Sequence, residues 1–264
     1  MPIRTYRYAE ERRWLRPPLA DVHLPDRPGP HPSVVVVHGG GFLGGWRRMR
    51  AVWTVVQALR EGGYAVMAMD YRVVFRGGGL DEALEDLHAG MAWWRAQVET
   101  FQLDPERISL VGLSAGGALV TLAARTEVPL HALVGIYGVY DFTDLPWRSA
   151  FLGRFLLRSM DHSVWRQRSP WRNCLEKVPM LLQHGTADGI VPVRHTTRLA
   201  NFRRTHDLPV ITGYYDGAGH AFYRHPELPV TRKALEDLLD FLDDPDAKRP
   251  RGGEPWKRTS SLGG

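Results

Sequence analysis

Ile108-Ser109-Leu110-Val111-Gly112-Leu113-Ser114-Ala115-Gly116-Gly117 is the stretch that decides the fold. A run of β-formers breaks at Gly-x-Ser-x-Gly and continues into an Ala/Leu-rich segment, so it reads as strand, sharp turn, helix. A serine at the tip of such a turn has a strained backbone. Small residues two before and two after it, Gly112 and Gly116, let strand and helix approach without a clash. The hydroxyl then stands clear of the sheet, and the Ala115 amide at the helix start faces any carbonyl that the serine attacks. Ser114 is the candidate nucleophile, although a glycine-rich strand-to-helix turn is also a packing device or a phosphate cradle.

Working outward, the alternation of apolar patterns predicts a β/α order. Opening strands are expected near residues 3–8 and 20–24, then the valine strand at 34–37 and a helix at 51–61 stopped by Gly62-Gly63. A strand at 64–69 precedes a helix at 81–98, where Leu84, Leu87, His88, Met91 and Trp94 fall at helical spacing and are expected to face the core. Beyond the elbow come a helix to Arg125, strands at 132–137 and 180–183, a helix at 194–206, a strand at 210–214 and a helix at 230–242. Such alternation implies an α/β fold, a mostly parallel sheet covered on both faces with its site at the carboxyl ends of the strands.

A hydroxyl is a weak nucleophile and needs a histidine base, itself oriented by a carboxylate. His220 lies in the small-residue loop Asp216-Gly217-Ala218-Gly219-His220-Ala221-Phe222 after a predicted strand, where a side chain can turn into a cleft. His38 and His184 each end an apolar strand and read as loop braces. Asp188 follows His184-Gly185-Thr186-Ala187 in a tight turn off a strand. Its competitors Asp216, Asp141 and Asp144 read as turn and capping residues. Val34-Val35-Val36-Val37-His38-Gly39-Gly40-Gly41 supplies a second glycine-framed strand end.

In order along the chain, Asp21-Val22-His23-Leu24-Pro25, His38-Gly39-Gly40-Gly41-Phe42 with Gly44-Gly45-Trp46, Met69-Asp70-Tyr71-Arg72, Gly112-Leu113-Ser114-Ala115-Gly116, His184-Gly185-Thr186-Ala187-Asp188 and Gly219-His220-Ala221-Phe222 resemble the landmarks of α/β-hydrolase-fold carboxylesterases. The group is that of hormone-sensitive-lipase-like esterases and the small bacterial feruloyl-esterase-like or arylformamidase-like enzymes. The order Ser114, Asp188, His220 is the one expected of α/β-hydrolases. The resemblance spans roughly residues 14–242 and implies a Ser114–His220–Asp188 triad. It also implies an oxyanion hole in which Gly40 and Gly41 join Ala115. Backbone N–H groups approach a developing alkoxide closely only where no Cβ intervenes, which suits those glycines. Asp70, Tyr71 and Arg72 are expected to brace the surrounding loops or to close a strand end with a local ion pair.

Between the strands near 137 and 180, Trp147, Phe151, Leu152, Phe155, Leu156, Leu157, Met160 and Trp165 alternate with Arg148, Arg154, Arg158, Arg166 and Arg168. This reads as a short helical cap, about 141–172, whose apolar face selects an acyl or aryl group while its arginines face water or an acidic substrate; a packing helix with solvated arginines is the alternative. Phe42, Trp147, Phe151, Phe155 and Phe222 are the candidate substrate contacts. The expected activity is ester hydrolysis on a small molecule. Formamide or peptide cleavage by the same triad, and a non-catalytic ligand-binding member of the fold, are the alternatives.

The 264 residues, 44% of them apolar, suit one domain over residues 1–242, followed by a Pro-, Gly-, Ser- and charge-rich tail from 243 expected to be disordered. No run approaches the roughly 18 consecutive apolar residues of a membrane span, and the start lacks an apolar signal core, so a cytoplasmic protein is expected. Cys174 is the only cysteine, which excludes an intrachain disulfide. The formal charge of +5 comes from scattered arginines without a recognisable binding module, which argues against a nucleic-acid partner. The dense Arg47-Arg48-Met49-Arg50 and Lys248-Arg249-Pro250-Arg251 read as solvated surface or tail. No metal or organic cofactor is implied, and a dimer through a sheet edge or helix is left open.

Overall fold

The computed structural model describes residues 3–10, 17–125, 129–145 and 152–246. Eight strands form one sheet: β1 (Arg4–Arg7), β2 (Leu19–His23), β3 (His31–Val37), β4 (Ala65–Met69), β5 (Leu103–Leu113), β6 (Ala132–Ile136), β7 (Met180–Gly185) and β8 (Val210–Tyr215), in the order β1-β2-β4-β3-β5-β6-β7-β8. β1 pairs antiparallel with β2 and β2 with β4; every later pairing is parallel. Parallel strands are buried on both faces, and β3 accordingly has no exposed residue.

The period of two along the central strands sends alternate residues to two cores. Val35, Val37, Met67 and Met69 pack with Leu87, Met91 and Trp94 of α2 (Leu80–Arg95) on one face. Val34, Val36, Val66 and Ala68 pack on the other with Val52, Val55 and Leu59 of α1 (Arg50–Glu61) and Leu238 and Phe241 of the C-terminal helix (Pro229–Asp243). Each fully buried valine or leucine contributes about 2 kcal/mol through removal from water. The expected helix over 81–98 ends at Arg95, and a separate turn, α3 (Val98–Phe101), follows it. His88 is exposed, contrary to expectation. The buried stripe of α2 is phased on Leu80, Ala83, Leu87, Met91 and Trp94, with Asp86 drawn in by Arg72 at 2.9 Å.

Among the described residues the remaining α-helices are α4 (Ala115–Ala123), α5 (His162–Arg168), α6 (Arg194–Thr205) and α7, the C-terminal helix already named. α1 stops where the sequence predicts, at Gly62-Gly63, with Gly63 at φ 89°. The tail expected to be disordered lies, from residue 247 on, outside the described residues. Among the described residues no helix is long and apolar enough to cross a membrane.

Register places the site. Val37 of β3 stands opposite Gly112 of β5, Leu113 opposite Ile136, Ile136 opposite Gln183, and Gly185 opposite Tyr215. The segments that leave β3, β5, β7 and β8 therefore emerge along one edge, and these are the segments holding Gly39–Gly41, Ser114, Asp188 and His220.

Candidate active site

At the end of β5 the chain reverses at Ser114, with φ 54° and ψ −115°, and enters α4 at the next residue. A positive φ on a non-glycine costs on the order of 1–3 kcal/mol, so the surroundings must hold it. The Ser114 amide donates to the Ile136 carbonyl at 2.9 Å, and its own carbonyl accepts from Gly117 at 2.9 Å and Val139 at 3.3 Å. A Cβ on Gly112 would strike the Gly116 carbonyl, and one on Gly116 would strike the carbonyl of Val37. These two glycines are required for space, as the motif implied.

Ser114 Oγ lies 3.1 Å from His220 Nε2, and His220 Nδ1 lies 2.7 Å from Asp188 Oδ2. A carboxylate only accepts, so Nδ1 carries the proton and Nε2 presents its lone pair to the serine hydroxyl. The edge of the Tyr137 ring packs on the imidazole, with centroids 4.9 Å apart. Asp188 Oδ1 accepts from the amides of Ile190 and Val191, both at 2.9 Å. His184 approaches Oδ2 with Nε2 at 3.2 Å, donates from Nε2 to the Val191 carbonyl at 2.9 Å, and accepts at Nδ1 a hydrogen bond from the Thr196 hydroxyl. Burial alone would raise the Asp188 carboxyl; hydrogen bonds from His184, His220 and Val191 outweigh it and hold the group well below the usual carboxylate range.

The competing carboxylates are occupied elsewhere. Asp216 accepts from Thr186 at 3.0 Å, Asp141 binds Arg198 and Thr143, and Asp144 binds Arg194 at 2.5 Å. His184, read as a loop brace, braces the turn that carries Asp188; its contact with the carboxylate was not legible from the spacing.

The glycine loop runs against the elbow: a Cβ on Gly39 would lie 3.0 Å from the Ser114 Cβ. Gly40 and Gly41 take φ 122° and 61°, open mainly to glycine, and Phe42 follows at 63°. The Gly40 carbonyl turns away to accept from Leu43 and Gly44. Among the described residues the amides of Gly40, Gly41 and Ala115 donate to no protein acceptor.

Behind this loop Asp70 accepts from the Arg47 amide at 2.8 Å and from its guanidinium at 2.5 Å, while Asp21 holds Arg47 Nε at 3.0 Å and Arg48 Nε at 2.5 Å. Arg47 is thus 9% exposed and clamped between two carboxylates, which corrects the reading of that residue as solvated surface, whereas Arg48 and Arg50 are exposed as read. Asp21 lies within β2 and Asp70 directly after β4, both far away in sequence. Tyr71 donates to the His38 carbonyl at 3.1 Å and stacks on its ring at 4.2 Å. His38 donates from Nδ1 to the Gly39 carbonyl at 2.6 Å, and burial lowers its pKa to about 4.

A cavity of about 520 Å³ opens over Ser114 and His220, a volume suited to a small ligand. Phe42, Leu43, Met49, Val139, Leu145, Ile190 and Val191 supply its apolar wall, and Arg50 and Arg224 also line it. Phe42 therefore sits where expected. Phe222 does not line the cavity: its ring is buried against Tyr137, Tyr215 and Tyr223 because the loop after His220 turns it inward. Phe155 is 47% exposed and also off the cavity wall. Trp147 and Phe151 lie outside the described residues. The later part of the cap segment is anchored on α2, where Arg158 pairs with Glu82 at 2.5 Å and Arg168 with Asp81. Leu145, Ile190 and Arg224 come from three separate loops, so no local pattern marked them as neighbours.

Serine, carboxylate and histidine, delivered in that chain order by the ends of β5, β7 and β8, define an α/β-hydrolase. The chain belongs to the BD-FAE family, whose model matches residues 20–202. It is 32% identical over 253 residues to Esterase LipC of Mycobacterium tuberculosis, covering 83% of this chain and 62% of that protein. It is 28% identical to the probable carboxylic ester hydrolase LipM of the same organism, covering 92% of this chain and 59% of that one. The chain thus spans about three fifths of the length of these relatives. The crystal structure of Esterase B from Lactobacillus rhamnosis superposes with a TM-score of 0.79 at 21% identity, covering 92% of this chain and 86% of that one.

Proposed function

We propose that the protein is a carboxylic ester hydrolase for small to medium acyl or aryl substrates, working through an acyl-enzyme. The observation that carries this reading is the hydrogen-bonded line from Ser114 Oγ through His220 to Asp188, whose Ser114 and His220 line a mainly apolar cavity. Family membership and the names of LipC and LipM support it.

In this mechanism Ser114 Oγ attacks the ester carbonyl as His220 Nε2 takes its proton. Asp188 keeps Nδ1 protonated and stabilises the imidazolium that forms. The carbonyl oxygen becomes an alkoxide facing the amides of Gly40, Gly41 and Ala115, and each such donor is worth about 3–4 kcal/mol in the transition state. Collapse breaks the ester C–O bond, and Nε2–H returns the proton to the leaving alcohol. Water then repeats the cycle on the acyl-serine, with His220 again as base, and releases the acid.

The test is hydrolysis of p-nitrophenyl esters from acetyl to decanoyl by the unmodified protein and by Ser114→Ala. Activity lost in the variant, with an optimum at short to medium chains, is the expected result. Folded protein that cleaves no ester would overturn the reading and leave formamide or peptide cleavage, or ligand binding, to be tested.

A further inference from the structure

Among the described residues that line the cavity, two carry a fixed charge, and both are arginines. Arg50 opens α1, and Arg224 closes the turn Phe222–Arg224 that packs on α1, so both belong to one wall. Among the described residues neither guanidinium has an ion-pair or hydrogen-bond partner, whereas Arg47, Arg72, Arg158 and Arg194 each hold a carboxylate. Among the described residues no Asp or Glu lines the cavity. Glu227, the carboxylate that the field of Arg50 reaches, is exposed, has His225 Nδ1 at 3.2 Å and lies off the wall. The cap arginines Arg158 and Arg168, candidates for attracting an acidic substrate, are neutralised on α2.

The first turn of α1 adds to this field. Met49, Arg50, Ala51 and Val52 all line the cavity, and α1 has neither an acidic residue in its first turn nor a side-chain cap. Phe42, Val139, Leu145 and Ile190 also line the cavity and are apolar. An apolar chamber with two unpartnered guanidinium groups on one wall matches a ligand that is apolar at its reacting end and anionic at the other.

Resting on the ester-hydrolase reading, we propose that Arg50 and Arg224 are specificity residues that select esters bearing a free carboxylate. The ester carbonyl reaches Ser114 while the carboxylate meets the guanidinium pair at the partly solvated wall. Water and salt screen such a pair, so each arginine is expected to contribute about two- to fivefold in relative kcat/KM, less at high ionic strength.

The experiment compares the p-nitrophenyl half-ester of glutaric acid with the same compound capped at its free carboxyl as the N-methylamide. The readout is the ratio of kcat/KM for the charged over the capped ester, so losses common to both substrates cancel. Unmodified protein should favour the charged ester by about tenfold or more at low salt. The preference should shrink in 0.5 M NaCl and fall by about tenfold or more in the Arg50→Gln, Arg224→Gln double variant. A ratio near one in the unmodified protein, or a ratio unchanged in the double variant, overturns the proposal while leaving the esterase reading intact. Cleavage of neither ester above the Ser114→Ala background, from folded protein, overturns both.

Discussion

Replacing Asp188 by Asn tests the proposed proton path with little change of shape. The carboxylate accepts from four groups: the amides of Ile190 and Val191 at one oxygen, and His220 Nδ1 and His184 Nε2 at the other. An asparagine keeps the two amide bonds only with its carbonyl at Oδ1, because the flipped amide would set NH₂ against two N–H donors. Its NH₂ then faces His220 Nδ1, which must give up its proton and become an acceptor. The proton moves to Nε2, where it faces Ser114 Oγ and removes the lone pair that should deprotonate the serine. His184 keeps its bond to the Val191 carbonyl at 2.9 Å, so the turn holds. The expected loss in kcat is about 10⁴-fold, equivalent to about 5 kcal/mol of barrier. Steady-state hydrolysis of p-nitrophenyl butyrate measures it, with circular dichroism and thermal melting to establish that the variant is folded. Activity within tenfold of the unmodified protein, from a folded variant, would refute the assignment of Asp188 as the group that sets the His220 tautomer.

Gly116→Ala drives a methyl group into the carbonyl oxygens of Val37 and His38; a loss of about 3 kcal/mol in urea unfolding is expected, and an unchanged midpoint would mean the elbow has slack. Asp70→Ala leaves Arg47 with Asp21 alone and frees its amide; about 3 kcal/mol of stability should go, together with activity as the glycine loop loosens, and calorimetry with the ester assay checks both. Acid should destabilise the fold through His38. Its folded pKa of about 4 lies below the roughly 6.5 of an unfolded chain, so the unfolded state takes up the proton first. The contribution is complete above about pH 6.5 and drains away as pH falls towards 4, by about 3 kcal/mol for this one group. His38→Gln should flatten the fall in denaturation midpoint over that window, and an equally steep fall in the variant would exclude His38 as its source.

Local pattern sufficed wherever the physics was local. The valine run and the alternation of segments implied a parallel sheet, because strands buried on both faces have no polar side to show. Gly112 and Gly116 announced a tight crossing since only a missing Cβ permits one, and the structure shows the carbonyls that would collide. His88 misled because helical spacing alone does not set the phase of the stripe; the buried Asp86–Arg72 pair turns that helix face. Phe222 misled because an aromatic beside a loop histidine is equally a core residue.

From the sequence alone come the fold class, the order of serine, carboxylate and histidine along the chain, and the glycine loop. Each is written in neighbouring residues or in the alternation of β and α segments that brings strand ends to one edge. Tertiary structure decided what depends on residues far apart in the chain. It clamped Arg47 between Asp21 and Asp70, turned Phe222 away from the cavity, and placed Arg50 and Arg224 on a single wall. Side-chain charges and rings find their partners through space, and spacing along one chain carries no record of which distant strand ends will meet.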